Sequence, residues 1–291
     1  MRDLPVCYFN GSFIPLADAK IGIMAHAFNY GTACFEGIRA YWNAEERQLY
    51  TFRIRDHFER LKRSSRVLMI DLPHSVDDLC EITQDLLRRN QFETDLYVRP
   101  LAYKSSESVG VRLHDLDAGF LIFAVPFGDY IKATGGIRAM VSSWRRIDDN
   151  AAPSRAKLTG TYVNAALAKS EAVLNGFDEA IMLTDDGHVC EGSAENIFLV
   201  SGGELITPPV SDNILVGITR STVIQLARDE LNLVVRERRV DRSELYGANE
   251  LFLCGTGAQI IPVVEIDHRP IGNGEIRPLT AGIGRCYNDV V

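Results

Sequence analysis

From Cys7 to Val264 the chain is written as short apolar runs of strand length, interrupted by a few amphipathic stretches of helical period. The two kinds do not alternate strictly. A doubly wound parallel sheet needs a crossover helix after each strand, so this order argues against one. It predicts a mixed α+β (or α/β) organisation in two domains. The first turn is the clearest local signal. Asn10-Gly11 joins Cys7-Tyr8-Phe9 to Ser12-Phe13-Ile14, and this dipeptide tolerates the positive φ angles of a tight hairpin. Strands are expected at 34–41, 48–52, 96–103 and 120–125, with helices at 55–69 and 75–90, the latter opened by Ser75 as N-cap. Pro126-Phe127-Gly128-Asp129-Tyr130 breaks the pattern. It predicts a small N-terminal domain over 1–125, a linker over 126–135 and a larger C-terminal domain over 136–291 that carries Lys157. There the pattern reads as helices at 161–174 and 219–231, among strands near Met140 and at 180–183, 196–200, 233–236, 250–253 and 260–264.

Charge and cysteine usage narrow the partners. A net charge of -8 disfavours nucleic acid. No run nears the roughly 20 apolar residues of a membrane helix. The opening Met1-Arg2-Asp3-Leu4-Pro5 does not read as a signal peptide, so a cytoplasmic location is expected. The six cysteines are scattered without a CxxC pair or metal-ligand spacing, which predicts reduced, mostly buried thiols and no metal site.

Five segments can carry chemistry. Lys157 lies in a loop-like stretch, Ala156-Lys157-Leu158-Thr159-Gly160, ahead of a helix. Such a lysine is ordinarily solvated, and its functional reading is a Schiff-base amine. Gly217-Ile218-Thr219-Arg220 opens an amphipathic helix, where free N–H groups can hold an anion or a simple cap can serve. Cys254-Gly255-Thr256-Gly257 has a GxG but neither the third glycine nor the following helix of a dinucleotide fingerprint. It is therefore a turn, plain or anion-binding. Glu191-Gly192-Ser193-Ala194-Glu195-Asn196 places two acids between strands. Two exposed loop carboxylates are the ordinary outcome; a buried one would suit the protonated ring nitrogen of a cofactor. Phe35-Glu36-Gly37-Ile38-Arg39, preceded by Tyr30-Gly31, reads ordinarily as a strand with a surface ion pair and functionally as a carboxylate pocket.

In order and separation these segments, together with His57-Phe58-Glu59-Arg60-Leu61 and Tyr97-Val98-Arg99-Pro100-Leu101, resemble the class IV (fold type IV) aminotransferases, closest to the branched-chain amino acid type. The resemblance runs from Phe9 to Val263. It implies a two-domain fold type IV enzyme, D-amino acid aminotransferase-like in architecture, that uses pyridoxal 5′-phosphate (PLP) and forms a homodimer or larger homo-oligomer. It implies that Lys157 carries the cofactor, Glu191 pairs with its ring nitrogen and Tyr162 with its phenolic oxygen. Arg60, Ile218, Thr219 and Thr256 would hold the phosphate. Thr256, Gly257 and Tyr97 would receive the substrate α-carboxylate. Tyr30, Phe35, Phe127 and Tyr130 would wall the side-chain pocket, with Arg39 and Arg99 for a second carboxylate. The implied reaction exchanges amino groups between Leu, Ile or Val and 2-oxoglutarate.

The chain departs from the family at Leu158-Thr159-Gly160-Thr161, where Ala-Gly-Gly-Asn is frequent, and at Gly257-Ala258-Gln259, where Ala-Ala-Glu is expected. Arg112-Leu113-His114 resembles the α-carboxylate grip of relatives that act on D-amino acids, although surface placement is the preferred reading. A D-amino acid or amine transaminase, or an aminodeoxychorismate lyase, is the alternative.

Overall fold

The computed structural model describes residues 5–128 and 135–291; Tyr130 lies outside them. The chain divides into two compact units, Met1–Gly128 with Ala156–Thr161, and Asp129–Arg155 with Tyr162–Val291.

The first unit contains β1 (Val6–Phe9), β2 (Ser12–Pro15), α1 (His26–Tyr30), β3 (Ala33–Phe35), β4 (Ile38–Asn43), β5 (Gln48–Thr51), α2 (Ile54–Val67), α3 (Val76–Asn90), β6 (Leu96–Lys104) and β7 (Ala118–Pro126). Among the described residues its strands form a seven-stranded sheet in the order β2-β1-β7-β6-β4-β5, with β3 also on β6. Asn10 and Gly11 take φ of 46° and 95° in the first hairpin, the conformation their sequence favours. Ser75 caps α3 as expected, accepting from the Asp78 N–H while the Asp78 carboxylate accepts from the Ser75 N–H. Phe58 and Leu61 of α2 and Leu79 and Leu86 of α3 fill one apolar cluster with Ile38, Val98 and Ile122 of the sheet.

The expected strand over 34–41 is two strands. Glu36-Gly37 interrupts it, and a Cβ on Gly37 would meet the Tyr97 hydroxyl at 2.1 Å, so only glycine lets that ring lie there. A second correction concerns Lys157, expected in the C-terminal domain. The segment around it lies along β3: the Phe35 N–H donates to the Lys157 carbonyl and the Thr159 N–H to the Ala33 carbonyl. Those ladder bonds assign Ala156–Thr161 to the first unit.

The second unit contains β8 (Ile137–Arg145), α4 (Tyr162–Leu174), β9 (Glu179–Leu183), β10 (Val189–Gly192), β11 (Asn196–Ser201), β12 (Glu204–Thr207), α5 (Ile218–Asp229), β13 (Val235–Glu237), α6 (Arg242–Gly247), β14 (Glu250–Gly255), β15 (Gln259–Ile266), β16 (Arg269–Pro270) and α7 (Pro278–Asn288). Its sheet runs β10-β9-β8-β15-β14-β11-β12-β13, with β16 on β15, and mixes parallel with antiparallel pairs. Ile197 and Leu199 of β11 enter one core, Phe198 and Val200 another beneath α5 and α7. Both faces of this strand are covered, so it reads as a continuous apolar run.

No described helix is long and apolar enough to cross a membrane. The six cysteines are all unpaired, five of them buried.

Candidate active site

In the first unit the site begins with α2. Its helical period puts His57, Arg60 and Ser64 on neighbouring turns of one face, and all three are buried. The Ser64 hydroxyl accepts from the Lys157 backbone N–H at 3.1 Å, which steadies the lysine's position on the edge of β3. Thr159 and Gly160 extend that edge, because the Thr159 hydroxyl and the Gly160 N–H both donate to the Gly31 carbonyl. Here the chains run so close that a Cβ on Gly31 would lie 2.8 Å from the Gly160 Cα. Lys157 is half-buried rather than freely solvated.

A row of side chains leads away from Lys157. Its Nζ lies 5.0 Å from the Phe35 ring centroid, and the Arg99 guanidinium lies 4.3 Å from the same ring. Arg99 donates to the Tyr97 hydroxyl at 2.9 Å, while its own Nε is buried with no partner. Tyr97 and Arg99 are two apart on β6 and so share a face. Tyr97 meets Phe127 at 5.0 Å, and Phe127 lies 4.9 Å from the guanidinium of Arg39. The structure therefore links Lys157, Phe35, Arg99, Tyr97, Phe127 and Arg39 in one row of contacts. Tyr30 instead meets His26 in a tilted ring contact at 4.6 Å and accepts from the Gly110 N–H at 3.1 Å.

The segment expected to carry a surface ion pair is buried. Arg39 donates to the Gly128 carbonyl at 2.8 Å. Glu36 is fully enclosed and takes a forked pair of hydrogen bonds from Arg60 Nε and Nη2, both 2.7 Å. His57 Nδ1 lies 2.7 Å from the second Glu36 oxygen. A carboxylate only accepts, so Nδ1 carries the proton of this bond. Burial by itself would raise the Glu36 carboxyl, but the Arg60 charge and hydrogen bonds, aided by His57, hold it down to about 2. Burial lowers His57, with the Arg60 and Lys157 charges acting the same way against Glu36. No role for Glu36 or His57 was read from the sequence; the His-x-x-Arg spacing on one helix face was the available signal.

In the second unit three separated segments converge. Glu191, in β10, is buried rather than on an exposed loop. Its Oε1 pairs with Arg146 Nη2 at 2.9 Å, and its Oε2 accepts from Asn196 Nδ2 and the Leu215 N–H, both at 3.0 Å. Asn196 stands opposite Cys254 in the ladder of β11 and β14. It also presses on Gly217, where a Cβ would meet its Oδ1 at 2.0 Å. Gly255 packs against Ala194 and Glu195, so the turn before Thr256 and Gly257 joins the same group. Gly217 begins α5 without a side-chain cap, leaving the first N–H groups, those of Ile218 and Thr219, unserved by any side chain. Tyr162 opens α4, and Asn164 ties that end of the helix to the carbonyl of Arg145, next to Arg146.

Glu195 is also buried, against expectation. Its Oε2 accepts from the Ala194 N–H at 3.0 Å, and burial, with the Glu179 charge, pushes its carboxyl up to about 8. Arg112 and His114 are exposed beside Asp115, in keeping with surface placement.

These features fit PLP on the structure's own terms. An uncapped helix start suits a dianionic phosphate, and a buried carboxylate suits a protonated ring nitrogen. A half-buried lysine on a rigid edge suits the carbonyl.

Comparison with known proteins agrees. The sequence profile of amino-transferase class IV matches residues 33–266. A protein of Aquifex aeolicus described as a probable branched-chain-amino-acid aminotransferase is 50% identical over 284 residues, 98% of this chain and 91% of its own. The structure of the branched-chain aminotransferase from Thermoproteus uzoniensis with norvaline superposes with a TM-score of 0.93 at 44% identity, covering 97% of this chain and 93% of that one. The PLP form of the branched-chain amino acid aminotransferase from Thermobaculum terrenum gives a TM-score of 0.94 at 38% identity, covering 100% and 94%.

Proposed function

The chain belongs to the class IV aminotransferases, a PLP-dependent family, and we propose that it exchanges amino groups between L-leucine, isoleucine or valine and 2-oxoglutarate. The products are the branched-chain 2-oxo acids and L-glutamate. The observation that carries this reading is the row from Lys157 through Phe35 and Arg99 to Tyr97, Phe127 and Arg39. It sets an aromatic ring beside the lysine with the Arg99 guanidinium on the same ring, and Arg39 at the far end of the row. A branched aliphatic side chain gains roughly 1.5–3 kcal/mol from full burial against such walls. The Nε of Arg99, buried without a partner, is a waiting donor for the second carboxylate of glutamate.

Bound PLP supplies a carbonyl for the amino group and a protonated ring that draws electrons from the substrate Cα–H bond. Lys157 would hold it covalently, and its Nζ is the base that would carry the substrate Cα proton. Glu191, paired with Arg146, would face the ring nitrogen, while Tyr162 would hydrogen-bond the phenolic oxygen. Arg60 in the first unit, and in the second the N–H groups of Ile218 and Thr219 with Thr256, are the groups that would bind the phosphate. The Thr256–Gly257 turn and Tyr97 take the α-carboxylate.

Lys157→Ala tests the core of this assignment. The variant is expected to retain no cofactor after borohydride reduction and to lose turnover by several orders of magnitude; near-normal activity would sink it. Arg99→Ala tests the substrates. Single-turnover spectra are expected to show the 2-oxoglutarate half-reaction slowed about ten- to a hundredfold more than the leucine half-reaction. Equal slowing of both would refute the two-mode pocket. D-alanine outpacing L-leucine in the wild type would refute the donor class.

The unpaired cysteines support a cytoplasmic location. A homodimer is supported by Ile23, Phe28, Val109 and Val111, each at least 73% exposed on two segments tied together through His26, Ser106, Tyr30 and Gly110. Sedimentation equilibrium reads this directly, and a monomer at micromolar concentration would dismiss it.

A further inference from the structure

The Glu36–Arg60–His57 cluster is a costly object to bury. Taking a guanidinium and a carboxylate out of water carries a desolvation penalty that good geometry only offsets, and an apolar trio of similar volume is often as stable. The surroundings are apolar: Phe58 and Leu61 follow His57 and Arg60 along α2, and Cys34 and Ile38 flank Glu36 in the strands before and after it. The geometry is also tighter than neutralisation requires. Arg60 meets both carboxylate oxygens in a fork through Nε and Nη2, which fixes the plane and the roll of its guanidinium. His57 Nδ1 adds a third bond to the carboxylate, at Oε2, the oxygen that also takes Arg60 Nη2. The same helix face fixes the backbone of Lys157 through Ser64.

We propose that Glu36 is a positioning residue for the cofactor phosphate, locking the Arg60 guanidinium in one orientation, with His57 as the brace that keeps Glu36 in place. The inference rests on the reading that Arg60 meets the phosphate. An arginine held by a fork has its plane and roll fixed, so an anion that meets it meets a guanidinium already ordered and the entropy of arranging it is not lost on binding. Glu36 touches neither cofactor nor substrate in this scheme and acts only through Arg60.

The test separates the phosphate from the rest of the cofactor. Apoenzyme is titrated with PLP and, in parallel, with pyridoxal, which lacks the phosphate; the ratio of the two affinities measures the phosphate's contribution. Glu36→Gln keeps the shape but replaces an acceptor oxygen with a donor facing Arg60. It is expected to lower that ratio about tenfold, the worth of one charge-assisted hydrogen bond, by weakening PLP and leaving pyridoxal within about twofold. His57→Leu removes the brace while sparing the ion pair, and is expected to lower the ratio about threefold, a fraction of that bond. His57→Asn, whose amide can stand in for the Nδ1 donor, is expected to restore it. If Glu36→Gln does not fold, the two His57 variants decide alone. Equal loss of PLP and pyridoxal affinity, or no change in either, overturns the proposal, because a purely structural cluster gives one of those results. Arg60→Ala is the control. An unchanged ratio there removes the phosphate role of Arg60 itself. A fall in Arg60→Ala without one in Glu36→Gln removes only the positioning role.

Discussion

Glu36 and Glu195 are buried to the same degree, yet their surroundings drive them to opposite protonation states. Glu36 faces a forked arginine and an imidazole N–H, and its carboxyl is held down to about 2 despite burial. Glu195 receives one backbone N–H and faces other acids: burial and Glu179 push it up to about 8, against a small pull from Lys169. Enclosure costs a carboxylate its hydration in both places. The difference lies in what replaces the water. Two full sets of donors keep the anion in the first unit, whereas a single N–H among like charges lets the proton stay in the second. The first arrangement serves orientation and depends on its partners remaining. The second tolerates loss of its charge.

The sharpest way to break this contrast is to empty Glu36. Glu36→Ala leaves a guanidinium and an imidazole buried without their acceptor, and urea unfolding is expected to show about 3–5 kcal/mol of lost stability. The pH dependence follows from the direction of the shift. The folded pKa lies below the unfolded one, so the stabilisation is present above the ordinary carboxylate range and is lost as pH falls toward about 2. A variant as stable as wild type would mean that the cluster is not held by its charges.

Glu195 has the reverse sign. Its folded pKa is raised, so stability is full below the ordinary carboxylate range and declines as pH climbs to about 8. Glu195→Gln removes the proton equilibrium and keeps the shape. Above pH 8 it is expected to exceed wild type by on the order of 2 kcal/mol, and its stability should stop falling between pH 5 and roughly 8. Parallel stability curves for the two proteins would show that Glu195 ionises normally.

The smallest effect lies at the exposed end of the scale. Arg112 and Asp115 are 61% and 75% exposed and 3.8 Å apart, so water screens the pair. Arg112→Ala is expected to change stability by less than about 0.5 kcal/mol and to leave L-leucine turnover unaltered. A large drop in turnover would return Arg112 to the substrate.

What was legible in the sequence was local. Asn10-Gly11 and Ser75 carry their conformations in their own chemistry, and the helical period of α2 and α3 is intact. The elements that escaped notice are short or enclosed: α1 is a five-residue helix, and β10 is four buried residues with no alternation to read. Two others were signalled and overlooked. Asp241 and Glu244 form the capping box of α6, and Pro278 stands in the first turn of α7. Motif order singled out Lys157 and the aromatic residues that the fold lines up beside it, because those residues sit inside recognisable segments. The pairing of Glu191 with Arg146, and of Glu36 with Arg60, joins positions remote in sequence and of ordinary type. Only the tertiary fold brings them together, which is why two acids expected at the surface are enclosed.

The placement of Ala156–Thr161 bears on how such a chain is made. The first unit's β3 finds its last neighbour in residues that follow it by more than a hundred positions. During synthesis the ribosome delivers everything up to Gly128 first, and the edge of β3 stays open until the segment around Lys157 leaves the exit tunnel. Closing so long a loop is slow relative to local hairpins and helices. The segment around Lys157 is therefore the part of its own unit that arrives last, and a chain stalled before it carries an unfinished sheet edge.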